Sequence, residues 1–366
     1  MRMGTAVSLR LGLTWVVYLS LAMVTQAREL KHVRLAVGTS VLNVSYPMLT
    51  LPLTLGYWKQ EGYDVELEPV GASLQAVQQM VAGNAELAEV NASAIIQSAV
   101  ANHLAVRAVM ANTVMDWSIA VLSTSDIKTA ADLKGKTIGV FSVATAGLPL
   151  LKRYLKLNGI DFETAGISLL PLGLGAPPVE ALRKGEVDAL IYWGAATTGF
   201  KNAGLDLREI VPPDWKTYPD YSLSVMQRTA DSDPDMVVGI ARGVAKATVY
   251  AIANPECAVR LHWQSYPETK ASGLDEATVL RRDLNTINTQ IAALGEGFKL
   301  NGGKQWGAVD PAGLDRLQAF LQEADLVKGA IPAKDLLAGI PHLSDRVNDF
   351  DADQIRQAAK NCEVKP

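Results

Sequence analysis

The chain has 366 residues, of which 49% are hydrophobic, 20% charged and 6% aromatic, with a formal charge of −4. That length holds two domains of ordinary size, and the mild acidity gives no reason to expect nucleic acid, whose backbone recruits a strongly basic surface. Cys257 and Cys362 are too few for a disulfide scaffold and too far apart for a local metal knuckle.

Arg2 and Arg10 flank an acid-free start, and Leu11 to Val24 is an apolar run interrupted by Thr14 and Ser20. Thr25-Gln26-Ala27 follows, with small residues where a signal peptidase cuts. The run of about 14 residues falls short of the roughly 20 that a spanning helix needs. Residues 1–27 therefore read as an export signal cleaved near Ala27, and no Cys follows the run to anchor a lipoprotein. Removing two arginines from the 34 bases leaves 32 against 38 acids, a mature charge of −6. No second apolar run of spanning length is expected. The mature chain is expected to be soluble in an oxidising, exported compartment, where Cys257 and Cys362 either pair or remain two half-buried thiols.

Val33 to Val37 is a short, β-branched apolar run ending at Gly38, as a buried strand leading into a loop should. Pro47 to Gly62 reads as one helix, weakened by Pro52. Tyr63 to Val70 alternates at strand period, Ser73 to Val81 is helical and closed by Gly83, and Ala85 to Val90 is a strand. Ser93 to Ala101 is a helix and Leu104 to Met110 a strand. Helices between short apolar strands imply a parallel sheet covered on both faces. A second set follows, with strands at Ile119–Ser123, Thr137–Phe141, Ser168–Leu172 and Val187–Tyr192, and helices at Gly147–Asn158 and Pro177–Lys184. Tyr218 to Gln227 alternates and reads as the strand that returns to the first lobe. Beyond Ala230 the pattern is helical, at Pro234–Ala253, Pro255–Ser265, Asp275–Leu294, Pro311–Ala324 and Asp351–Lys360, a tail that should pack on an existing lobe.

Three strings then carry a family resemblance: Gly56-Tyr57-Trp58-Lys59-Gln60-Glu61-Gly62-Tyr63-Asp64-Val65, Asp132-Leu133-Lys134-Gly135-Lys136-Thr137-Ile138-Gly139-Val140, and Gly185-Glu186-Val187-Asp188-Ala189 ahead of Tyr192-Trp193. Together, in order over roughly residues 33 to 227, the sequence resembles the periplasmic solute-binding proteins of ABC importers, in the branch that takes sulfonates, nitrate, taurine and thiamine-pyrimidine precursors. One departure stands out: Trp193-Gly194-Ala195-Ala196 replaces that branch's usual Trp, acid and Pro. The resemblance implies an α/β, two-lobed periplasmic binding protein of type II, with a ligand cleft between lobes and a helical C-terminal extension. Residues 28–117 and 218–366 would form lobe one with the tail, and 118–217 lobe two. It further implies a periplasmic monomer without cofactor or metal that does no covalent chemistry, captures a small organic solute (a sulfonate, carboxylate or heteroaromatic compound) and delivers it to an inner-membrane permease. Two alternatives share the fold: a ligand-sensing module for a membrane receptor, and an enzyme resembling the thiamine-pyrimidine synthase, which would demand a cysteine-rich cluster.

Open parallel sheets bind ligands at the carboxyl ends of their strands. In lobe one this picks out Asn43, Ser45, Tyr46, Ser73, Asn91, Ala92 and Ser93. In lobe two it picks out Ser142, Ala144, Thr145, Ala146, Gly175, Trp193 and Gly194, with Trp117 at a strand end. Small residues there let a solute reach backbone N–H groups at helix starts, which favour an anionic head. Ser73 and Ser93 also suit ordinary helix caps, and a Trp is equally a core residue. Asp116 either accepts from a ligand amine or caps a turn. The four histidines lack metal spacing. Gly135-Lys136-Thr137 lacks the first glycine of a phosphate loop, Ala130 standing in its place, and is set aside.

Overall fold

The computed structural model describes residue 1, residues 29–143 and residues 145–362. The expected export signal, apart from residue 1, and Ala144 lie outside the described residues. Ten strands form two five-stranded sheets. The first contains β1 (Lys31–Val37), β2 (Tyr63–Pro69), β3 (Leu87–Asn91), β4 (Val106–Ala111) and β10 (Tyr221–Met226), ordered β2-β1-β3-β10-β4. The second contains β5 (Trp117–Leu122), β6 (Thr137–Val140), β7 (Ser168–Pro171), β8 (Ala189–Trp193) and β9 (Leu207–Ile210), ordered β7-β6-β8-β5-β9.

The sheets are mixed, which corrects the expectation of purely parallel ones. β10 runs antiparallel to β3 and β4, and β5 antiparallel to β8 and β9. Each reversed strand is the first one after the chain crosses from the other sheet. Helical crossovers keep strands parallel within a lobe, whereas a direct crossing enters the next sheet from the cleft side. The two crossings lie side by side: the Asp220 N–H donates to the Thr113 carbonyl at 3.0 Å and the Met115 N–H to the Tyr218 carbonyl at 3.0 Å.

The predicted helix 47–62 is two helices, Pro47–Thr54 and Tyr57–Gln60. Gly56 adopts φ +67 between them, a left-handed conformation that a helix interior does not contain. Trp58 is then buried and donates from Nε1 to the Ile240 carbonyl at 2.9 Å. That carbonyl belongs to the helix Pro234–Ala253, which is long and apolar enough to cross a membrane, contrary to the expectation that no such run follows. It is instead a core helix, with 78% of its apolar window buried. Its Arg242 and Lys246 both reach Glu61, at 2.7 and 2.8 Å, so its two half-sunken cations are paired inside the protein.

The tail does not pack on one lobe alone. Helix Pro311–Glu323 buries Leu314, Leu317, Phe320 and Leu321 in a cluster shared with Ile96 from the first lobe and with Ile119, Ile138 and Leu150 from the second. Helix Glu276–Leu300 meets helix Gly194–Asn202, where the Asn202 side chain donates to the Arg282 carbonyl at 2.8 Å. Cys257 and Cys362 are joined in a disulfide that closes 105 residues and ties the last helix, Ala352–Lys360, to helix Pro255–Ser265.

Candidate functional site

The strand ends of both sheets face one cavity. From the first lobe come Gly38 and Thr39 after β1, Ser45 and Tyr46, Ser73, and Asn91 at the end of β3. From the second come Trp117 at the start of β5, Phe141 after β6, Thr145, and Trp193 at the end of β8. The crossings contribute Thr113, Asp116 and Asp220, the start of β10 contributes Tyr221, and helix Glu276–Leu300 contributes Gln290 and Ala293.

A hydrogen-bond relay fixes the first-lobe wall. The Ser73 hydroxyl donates to the Asn91 side-chain oxygen at 2.7 Å and accepts from the Asn91 N–H at 3.0 Å. The Asn91 amide group then donates to one Asp220 oxygen at 2.6 Å, and the Trp117 indole N–H donates to the other at 3.3 Å. Asp220 is thus held by one residue from each sheet. The relay needs Gly38, because a Cβ there would lie 2.8 Å from both the Ser73 Cα and its hydroxyl oxygen.

Asp116 holds the opposite wall. Its carboxylate accepts from the Gly194 N–H at 3.2 Å, at the first turn of helix Gly194–Asn202. A Cβ at position 194 would meet that carboxylate oxygen at 2.8 Å and the Thr289 methyl at 3.0 Å. The glycine that replaces the expected acid therefore makes room for an acid brought in by the crossing just ahead of β5. Burial pushes Asp116 up to about 7, with the neighbouring Asp220 charge adding to it. Burial also raises Asp220 to about 6, against the bonds from Asn91 and Trp117 that favour its charged form.

The walls are aromatic. Trp117 and Trp193 are cross-strand neighbours with ring centres 5.6 Å apart, and Phe141 meets Trp193 edge-on at 5.5 Å. Across the cavity Tyr46 and Tyr221 lie 5.9 Å apart. The Tyr221 hydroxyl is shut off from solvent with no protein partner among the described residues.

Of the residues picked out from sequence, Ser45, Tyr46, Ser73, Asn91, Trp117, Thr145 and Trp193 border this cavity. Ser93 and Ala146 line a neighbouring groove instead, which also touches Ser73, Asn91 and Thr145. Asn43 builds the preceding turn, accepting from the Ser45 N–H at 2.9 Å, and Ala92 is buried with its N–H given to the Asp220 carbonyl. Ser142 and Gly175 do not border the cavity, Gly175 serving the start of helix Ala176–Arg183 at φ +83. Three of the N–H groups at these strand ends are engaged: Gly194 by the Asp116 carboxylate, Ala92 by the Asp220 carbonyl, and Asn91 by the Ser73 hydroxyl. Sequence reasoning did not pick out Thr113, Asp220, Tyr221, Gln290 or Ala293. Asp220 left one signal, an acid directly ahead of a strand whose neighbours are buried.

Two mixed α/β sheets, two adjacent crossings and a cavity at the strand ends define the periplasmic binding protein fold. Solved structures of this fold include a protein from Bordetella bronchiseptica RB50, 22% identical with a TM-score of 0.64 over 88% of this chain and 98% of that one. The alkanesulfonate-binding protein SsuA from Xanthomonas axonopodis pv. citri, bound to MOPS, is 19% identical with a TM-score of 0.59 over 84% and 98%. The periplasmic aliphatic sulphonate binding protein SsuA from Escherichia coli is 15% identical with a TM-score of 0.57 over 84% and 97%. No curated protein sequence matches the chain. The NMT1/THI5-like family model matches residues 49–258, more than half of the chain, and the chain belongs to that family.

Proposed function

We infer that the protein is the exported solute-binding component of an ABC import system. It captures a small organic solute between its lobes and hands it to an inner-membrane permease. The observation that carries this reading is that both sheets and both crossings contribute to one cavity, so neither lobe alone can bury a ligand. A solute that touches both lobes binds the closed arrangement better than an open one, and that difference in affinity is what couples occupancy to shape. The closed shape is then the signal a permease can read. Family membership and the fold shared with alkanesulfonate-binding SsuA support the assignment. The apolar run before Arg28 supports export, with residues 28–117 and 218–366 as lobe one with its tail and 118–217 as lobe two.

The reading is tested in two steps. Intact-mass measurement of secreted material should give a chain beginning near Arg28; a full-length chain there contradicts export. Deletion of the gene should abolish uptake of the solute the purified protein binds, and unimpaired uptake would remove the transport role.

A further inference from the structure

We propose that the cleft is built for a small, flat organic cation that donates hydrogen bonds, such as an amine- or amidine-bearing heterocycle, and that it rejects sulfonates and carboxylates. The inference rests on the solute-binding reading above and narrows its solute class.

Three features point the same way. The first is charge: among the described residues bordering the cavity there is no Lys, Arg or His, while Asp116 and Asp220 both border it. An anionic head would meet two carboxylates in a dehydrated space with no cation to offset them. The second is the state of the helix starts. A helix N-terminus receives an anion through free N–H groups, and at Gly194 the group is already given to the protein's own carboxylate at 3.2 Å. The protein's own acid occupies the place that an anionic solute would have to take. The third is the wall chemistry. Trp117, Phe141 and Trp193 on one side and Tyr46 and Tyr221 on the other line the cavity, and aromatic rings suit a flat solute and attract a cation that stacks on them. The buried Tyr221 hydroxyl, without a partner among the described residues, is open to accept from a donor on the solute.

The same charges set a pH dependence. The groups facing Asp116 are the Asp220 carboxylate, the Tyr46 phenol, the Gly194 N–H and, more distantly, Lys216, whose ammonium is half exposed and pairs with Glu296 at 3.1 Å. An empty cleft therefore holds a proton on the acid pair near neutrality, and a bound cation displaces it. Affinity for a permanently charged cation should rise as pH climbs through the Asp116 value of about 7, by about tenfold between pH 6 and pH 8 for one displaced proton.

The probe is a small-molecule extract of the source cells, split by ion exchange into cationic, neutral and anionic fractions, with unfolding temperature of the mature protein as the readout. The expected result is stabilisation by the cationic fraction alone, stronger at pH 8 than at pH 6, and lost in Asp116→Asn. Calorimetry with the active compound then gives the fold-change in affinity. Should Asp116→Asn fail to fold, the wild-type pH dependence still decides. Stabilisation by the anionic or the neutral fraction overturns the cation assignment and leaves the solute-binding reading standing. No stabilisation by any fraction overturns the solute-binding reading itself, and the narrower inference falls with it.

Discussion

Glu89 lies within β3 with 0% of its surface exposed. One carboxylate oxygen accepts from the Asn112 side chain at 2.8 Å, and the other has no partner among the described residues. Burial pushes this carboxyl up from 4.5 to about 8, opposed only by the Asn112 bond. A carboxyl raised in the folded state binds its proton more tightly there than in the unfolded chain. Its stabilising contribution is therefore complete below about pH 4.5 and is lost as pH rises through about 8. At about 1.4 kcal/mol per pH unit, the difference amounts to about 4 to 5 kcal/mol at pH 9. Glu89→Gln keeps the acceptor for Asn112 and places a donor where the protonated acid has one, but never ionises. Urea unfolding from pH 5 to pH 9 should show the two proteins nearly equal at the acid end and the variant more stable by about 4 kcal/mol at the alkaline end. Asp116 and Asp220 add their own slope to both proteins, so the difference isolates Glu89. Curves that run parallel across the whole range would refute the argument that a charged Glu89 is what costs stability.

Gly243→Ala should destabilise by about 1 to 3 kcal/mol in the same assay, because its Cβ would lie 2.3 Å from the buried Trp58 ring; an unchanged midpoint would show that the ring moves aside freely. Alkylation of the denatured, unreduced protein should label neither cysteine. Cys257→Ser with Cys362→Ser should cost roughly 3 to 5 kcal/mol, since the bridge closes a loop of 105 residues; labelling of both thiols in the wild type would reject the bridge.

Much of the architecture was legible because it rests on local periodicity. Strands of alternating or continuous apolar residues, separated by helices that glycines close, are written within a few residues of each other, and the return strand at 221–226 and the long tail helices follow the same rule. Strand direction is not written locally. The reversal of β5 and β10 follows from where the chain re-enters a sheet, which no periodicity reports. The split at Gly56 shows the limit in miniature: the apolar spacing from Leu49 to Trp58 continues through a residue whose φ of +67 ends the helix. Within the site, strand-end loops could be found from strand positions, and this brought Tyr46, Ser73, Asn91 and Trp193 to the cavity border. Asp116, weighed beside Trp117 as an acceptor from a ligand amine, also borders the cavity, but Asp220 could not be placed that way. Asp220 acts from a crossing, and Gln290 and Ala293 from a tail helix more than 60 residues further along the chain. Glu89 did leave a trace, as the one ionisable residue inside Leu87-Ala88-Glu89-Val90, a run otherwise suited to burial on both faces.

The central claim is that a solute sits between Trp193 of one lobe and the Asn91–Asp220 wall of the other. Native mass spectrometry of protein recovered from the exported fraction without refolding tests it most directly, comparing the wild type with a folded Trp193→Ala variant. Removing a ring that packs on the solute should cost on the order of 2 kcal/mol, roughly thirtyfold in affinity. The wild type should carry one small molecule at substantial occupancy, and the variant should have lost most of it. The same molecule retained equally by both proteins would place the binding site away from this cleft.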